Sequence, residues 1–154
     1  MYSIGISVIL ALKAQGCKEI IVSEISNQRK KFAKEFGADH IVDPSKEDIV
    51  EFVQKQTNGI GVDIVFDCAG VAVGLDAACR AIKTQGTVVS IDGNIAQTQM
   101  ITLSQVNVAI WEKAIPFQPN NLVMKEGNFT ACLGYLKKDF QQVIEAISSG
   151  KAIP

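Results

Sequence analysis

The residues of this chain best suited to chemistry stand close together, in the run Ile20-Ile21-Val22-Ser23-Glu24-Ile25-Ser26 and at Arg29 just beyond it. Ile20–Val22 is short, apolar and β-branched, the signature of a strand buried in a parallel sheet. It stops at a carboxylate, Glu24. Ser26 is then placed to cap a helix whose apolar positions are Phe32, Ala33 and Phe36 and whose stop is Gly37. A carboxylate at the tip of the second strand of a dinucleotide-binding half accepts hydrogen bonds from the two hydroxyls of an adenosine ribose. The bland alternative for Glu24 is a solvated strand end, and for Arg29 an ordinary helix-surface cation. Methyltransferases that use S-adenosylmethionine place a carboxylate on the same kind of ribose. They usually end in an antiparallel hairpin, whereas this chain ends in a helical pattern after Phe140.

The elements that must position these groups are legible along the whole chain. Met1–Gly16 has the spacing of a helix, with Ile6, Ile9, Leu10 and Lys13 on one side and Gly5 near its start. His40–Asp43 is a short strand ended by Pro44, and Ser45 with Asp48 has capping-box spacing ahead of a helix carrying Ile49, Phe52 and Val53. Val62–Asp67 is the clearest strand and runs into Cys68-Ala69-Gly70. The following helix turns Leu75, Ala78, Ala81 and Ile82 inward, and Gly86 introduces the strand Thr87–Val89. Phe129–Leu133 is a further strand, and Asp139 opens a last helix with Phe140, Val143, Ile144 and Ile147. Strands alternating with amphipathic helices predict an α/β fold built on a doubly wound parallel sheet.

Composition narrows the function classes. The 154 residues are 47% hydrophobic and 20% charged, with a net charge of -1, an ordinary globular balance with no electrostatic case for nucleic acid or an anionic membrane. No apolar run reaches membrane-spanning length and the first residues lack a secretory pattern, so the expected location is cytoplasmic. Cys17, Cys68, Cys79 and Cys132 are scattered without a CxxC pair, and His40 is the sole histidine. That is no ligand set for a metal, and reduced thiols are expected.

Taken together, SEISNQRKKFAKEFGADHIVDPSKEDIVEFV, GVDIVFDCAG, GLDAACRAIKTQGTVV, NVAIWEKAI and DFQQVIEAISSGK resemble the cofactor-binding domain of zinc-type medium-chain alcohol dehydrogenases, closest to the butanediol and sorbitol dehydrogenase branch. The resemblance covers nearly the whole chain, segment after segment in order. It implies a Rossmann-like fold and hydride transfer from a secondary alcohol to NAD, with a zinc ion polarising the alcohol oxygen in the full-length family. Residue by residue, Gly5 resembles the last glycine of the phosphate-loop fingerprint, and Glu24 the acidic residue on the adenosine ribose that repels the extra phosphate of NADP. Arg29 resembles the basic residue beside that ribose. Cys68, Ala69 and Gly70 resemble the segment bordering the cofactor, and Val108, Ala109 and Ile110 the strand end that meets the nicotinamide carboxamide. The sixth strand, here within residues 128–135, helps build the family's dimer, so a homo-oligomer through it is the expected partner.

Departures from the family pattern carry expectations of their own. The family's first strand and first two fingerprint glycines would precede Ile4, where only Met1-Tyr2-Ser3 stands; in the order 3-2-1-4-5-6 that strand is central, and its loss would leave two ladder edges unpaired. Residues 1–154 are therefore expected to form an incomplete dinucleotide-binding domain without the catalytic zinc domain and its ligands. Within the fifth strand, Ser90–Val106 stands between Val89 and Asn107, which the family pattern would join directly. Its lack of charge beyond Asp92 suggests a retained intron, with Val89-Ser90 encodable as GTA-AGT; a surface loop is the alternative. The chain alone is accordingly expected to be inactive as a dehydrogenase. A non-catalytic nucleotide- or partner-binding module and a mis-spliced product without function are the other readings.

Overall fold

The computed structural model describes residues 2–91, 116–132, 134 and 136–150. Within them helices and strands alternate, and every strand pairing is parallel. The chain divides into two compact units, one formed by Val50–Leu133 with residue 1, the other by Tyr2–Ile49 and Gly134–Pro154.

The second unit begins with α1 (Tyr2–Ala14) and continues through β1 (Ile21–Ser23), α2 (Asn27–Glu35) and β2 (His40–Val42). Strands β1 and β2 pair in register, Val22 opposite Ile41. Apolar residues from all three layers close its core: Ile9 of α1, Ile20 ahead of β1, and Ala33 and Ala38 around α2 are buried together, with Leu12, Cys17, Val22, Phe36 and Ile41 packed around them. Ser26 stands at the N-cap of α2, but its side chain makes no capping bond. Instead its backbone N–H donates to Glu24 Oε1 at 2.8 Å, so the carboxylate two residues earlier does the local work.

The helix expected to be capped by Ser45 and Asp48 begins at Ile49, as α3 (Ile49–Gln56). Ser45 is spent elsewhere: its N–H and hydroxyl both donate to Asp43 Oδ1. These bonds tighten the turn that leaves β2, and Ser45 stands four residues ahead of the first helical residue, outside the capping position.

The first unit carries a three-stranded sheet of order β3-β4-β5, from β3 (Val62–Asp67), β4 (Ile82–Ile91) and β5 (Asn128–Cys132), with α4 (Ala72–Ala81) and α5 (Asn120–Val123). Leu75, Ala78, Cys79, Ile82, Val88 and Leu122 form its buried core, with Val65 and Phe129 against it. Ile82 belongs not to the helix, as its spacing suggested, but to the first position of β4, where it is fully buried. Gly61 makes the tight entry to β3 possible. Its φ is +93°, and a Cβ there would stand 2.7 Å from backbone atoms of Ala81, Ile82 and Lys83, so only glycine fits.

Strand β4 does not stop at Val89. Ser90 pairs with Asp67 on one side and Ala131 on the other, and Ile91 pairs with Cys132. The first two residues of the expected insertion therefore continue the ladder; the rest of residues 90–106, and the rival strand segment Val106–Trp111, lie outside the described residues. The last helix, α6 (Lys137–Ser148), starts two residues before Asp139, which sits in its first turn and accepts the Leu136 N–H at 2.8 Å. Its Phe140, Val143, Ile144 and Ile147 are each more than half exposed, and no residue of α6 is buried.

Candidate functional site

Glu24 lies one residue past the end of β1, and its backbone N–H donates to Val42 O, which ties this turn to the end of β2. Its carboxylate is heavily used. Arg29 Nε donates to Oε2 and Nη2 to Oε1, both at 2.7 Å, and Ser26 N–H donates to Oε1. The pair is partly buried. Burial alone would raise the Glu24 pKa, but the Arg29 and Ser26 bonds outweigh it and the net shift is downward. A fixed, ionised carboxylate at a strand tip results.

Its remaining capacity decides what it can hold. A carboxylate offers about four acceptor positions, and three are taken by the bonds above. One lone pair on Oε2 is left for a ligand hydroxyl. A ribose diol can therefore be met by one direct bond, and by a second only if Arg29 moves aside. Both the residue type and the geometry fit a ribose at this tip.

Beside it, Asp43 at the end of β2 accepts from Lys30 and from Ser45. The Lys30 bond first, and then Ser45, hold the Asp43 carboxyl far below the usual range. Asp39 is held down likewise by the Ile20 N–H and by Lys13. All three carboxylates have folded pKa values below their unfolded values of 4.5 for Glu and 3.8 for Asp. The stability they contribute is thus fully present above those values and is lost as pH falls through the folded ones. The expected outcome is a melting temperature that is flat near neutrality and drops between about pH 5 and pH 3. In Asp43→Asn the acid limb should be shallower; a parallel drop would contradict the assignment.

Gly5 lies in the first turns of α1, with open space where a side chain would begin. In the other unit, Cys68, Ala69 and Gly70 form the loop leaving β3. The Cys68 thiol is directed at Phe66 O, 3.9 Å away. Burial first, and the Asp67 charge second, push it up to about 11, so it is a protonated thiol at neutral pH. Gly70 has φ +61°. The third candidate segment, Val108-Ala109-Ile110, lies outside the described residues.

Sequence reasoning passed over Asp67. It is 6% exposed, and its Oδ1 accepts from the N–H groups of both Ala69 and Gly70, at 3.0 and 3.1 Å. An acidic residue closing the clearest strand of the chain was the available signal. A zinc ion does not fit what is described: among the described residues no three His, Cys, Asp or Glu side chains converge so as to hold a metal. No helix among them is long and apolar enough to cross a membrane.

Comparison with known proteins bears directly on this arrangement. Residues 3–149 match the family of zinc-binding dehydrogenases. A probable diacetyl reductase, (R)-acetoin forming, of Saccharomyces cerevisiae is 35% identical over 153 residues, covering 96% of this chain and 32% of that protein. The (R,R)-butanediol dehydrogenase of Bacillus subtilis is 36% identical over 148 residues, covering 96% of this chain and 37% of the enzyme. The crystal structure of the 2R,3R-butanediol dehydrogenase from Bacillus subtilis superimposes with a TM-score of 0.78 at 35% identity, over 95% of this chain and 37% of that one. The chain spans about a third of the length of the curated relatives it matches.

Proposed function

The chain belongs to the zinc-binding dehydrogenase family, and we propose that it holds NAD, rather than NADP, through the Glu24 carboxylate at the tip of β1. The observation that carries this reading is the local geometry of that carboxylate. It is partly buried, fixed by Arg29 and Ser26, and keeps one acceptor position open. A 2′-phosphate brought to the same place would meet a negative charge whose neighbouring cation is already engaged.

The finer fold reading, a doubly wound Rossmann-like sheet, is supported by strand order. In the order 3-2-1-4-5-6 the second strand pairs with the third, and the fourth with the fifth and the fifth with the sixth. The observed sheets, β1-β2 and β3-β4-β5, follow those neighbourhoods. Cys68-Ala69-Gly70, at the carboxyl end of β3, stands where ligands of open α/β sheets bind.

For the whole protein, the relatives' names support interconversion of a secondary alcohol and a ketone. When bound, the nicotinamide ring supplies the hydride acceptor. This chain's own residues contribute binding and orientation: Glu24 fixes the adenosine end. A second copy of the chain is the partner favoured by β5, which has a ladder with β4 on one side and none on the other among the described residues. The reading is tested by adding NADH or NADPH to the chain. NADH is expected to raise its unfolding temperature and NADPH to leave it nearly unchanged; an equal response to both would remove Glu24 from the role given to it.

A further inference from the structure

Two buried polar atoms in the β3-β4-β5 unit have no hydrogen-bond partner among the described residues: Asp67 Oδ2 and Ser90 Oγ. They belong to residues set opposite each other in the parallel register of β3 and β4, and Ser90 is 1% exposed. Neighbours in register on parallel strands project from the same face of a sheet. Meanwhile the other oxygen, Asp67 Oδ1, is doubly loaded by the N–H groups of Ala69 and Gly70.

Burying a carboxylate with one oxygen unsatisfied is costly, and such a group in a folded chain calls for a reason. The loaded oxygen supplies it. Charge-assisted bonds to two successive N–H groups are stronger than a neutral side chain would make, and they fix the chain as it leaves β3. Gly70, at φ +61°, is the residue that lets the loop turn back onto that oxygen. We propose that Asp67 is the positioning residue of the Cys68-Ala69-Gly70 loop. This rests on the reading of that loop as a border of the NAD site, which it deepens by naming the group that shapes it.

The proposal separates geometry from charge. An asparagine at 67 keeps a carbonyl oxygen for Ala69 and Gly70. An alanine keeps none. Hydrogen exchange of assigned amides in the full chain reads the difference directly. In the parent, the Ala69 and Gly70 amides are expected to be protected. In Asp67→Ala those two amides should exchange at least about tenfold faster, while the β3–β4 ladder amides keep their rates. Asp67→Asn, which keeps the acceptor without the charge, should restore much of the protection at both.

Unchanged exchange at Ala69 and Gly70 in Asp67→Ala would overturn the proposal. So would loss of their protection in Asp67→Asn with the ladder intact, which decides the matter even where the alanine variant does not fold. The same samples with NADH keep the two readings apart. The loop's role in the site predicts weaker NADH binding in Asp67→Ala with recovery in Asp67→Asn. Equal NADH affinity in all three would detach the loop from the site. A parent that does not respond to NADH at all would end the cofactor reading, and the exchange rates would still decide what holds the loop.

Discussion

Ile82→Ala is expected to remove about 2–5 kcal/mol from the stability of the unit that carries the β3-β4-β5 sheet. The size follows from position. Ile82 has no exposed surface and sits among Leu75, Ala78, Cys79, Val88 and Leu122. Two glycines press against it: a Cβ on Gly86 would stand 2.9 Å from its Cβ, and one on Gly127 would stand 2.8 Å from its Cδ1. Backbone on both sides is thus already at its closest approach, and the cavity left by truncation cannot collapse by a small shift. Against a typical total of about 5–15 kcal/mol, the loss is large. Urea unfolding should show a lower midpoint with an unchanged slope. Ile64→Ala serves as the comparison, because Ile64 is 49% exposed and should cost far less; equal losses at the two positions would contradict this view of the core.

Glu24→Ala is expected to weaken cofactor binding, besides removing the stability its bonds to Arg29 and Ser26 contribute. A hydrogen bond to a charged group contributes about 1.5–3 kcal/mol, which corresponds to a roughly ten- to 150-fold weaker hold on NADH. The same change removes the carboxylate to which Arg29 Nε and Nη2 donate and with it the negative charge that repels a 2′-phosphate, so NADPH should bind the variant better than it binds the parent. Calorimetric titration of the two dinucleotides into parent and variant measures both effects. Weaker NADH binding together with stronger NADPH binding is the expected pattern; an unchanged NADH affinity would contradict the role of Glu24.

How much of this was legible beforehand depended on the kind of signal. Strands and helices announced themselves through period and punctuation, from the Ile20–Val22 run to the Val62–Asp67 strand and the inward face of α4. Glu24 and Arg29 were legible as a pair because strand tip and first helical turn are close in sequence. Their bidentate bond was not, since it depends on a side-chain geometry that spacing does not specify. Capping was misjudged at Ser26 and Ser45 for a shared reason: a nearby carboxylate, Glu24 or Asp43, accepts the serine's N–H and organises the turn in place of a side-chain cap. Asp67 escaped notice because its bonds to the Ala69 and Gly70 N–H groups depend on how the chain turns after β3, which spacing does not specify. The exposed face of α6 was equally invisible, because an amphipathic pattern says which side is apolar and not what lies against it.

The most direct measurement is a thermal melt of the purified chain with and without NADH. A ligand present at 100 times its dissociation constant adds about 2.7 kcal/mol to a folded binder, a shift of several degrees in a domain of this size. If this chain holds the nicotinamide cofactor through Glu24, a cooperative transition should move upward with NADH and move clearly less in Glu24→Ala. A cooperative transition indifferent to saturating NADH would contradict it.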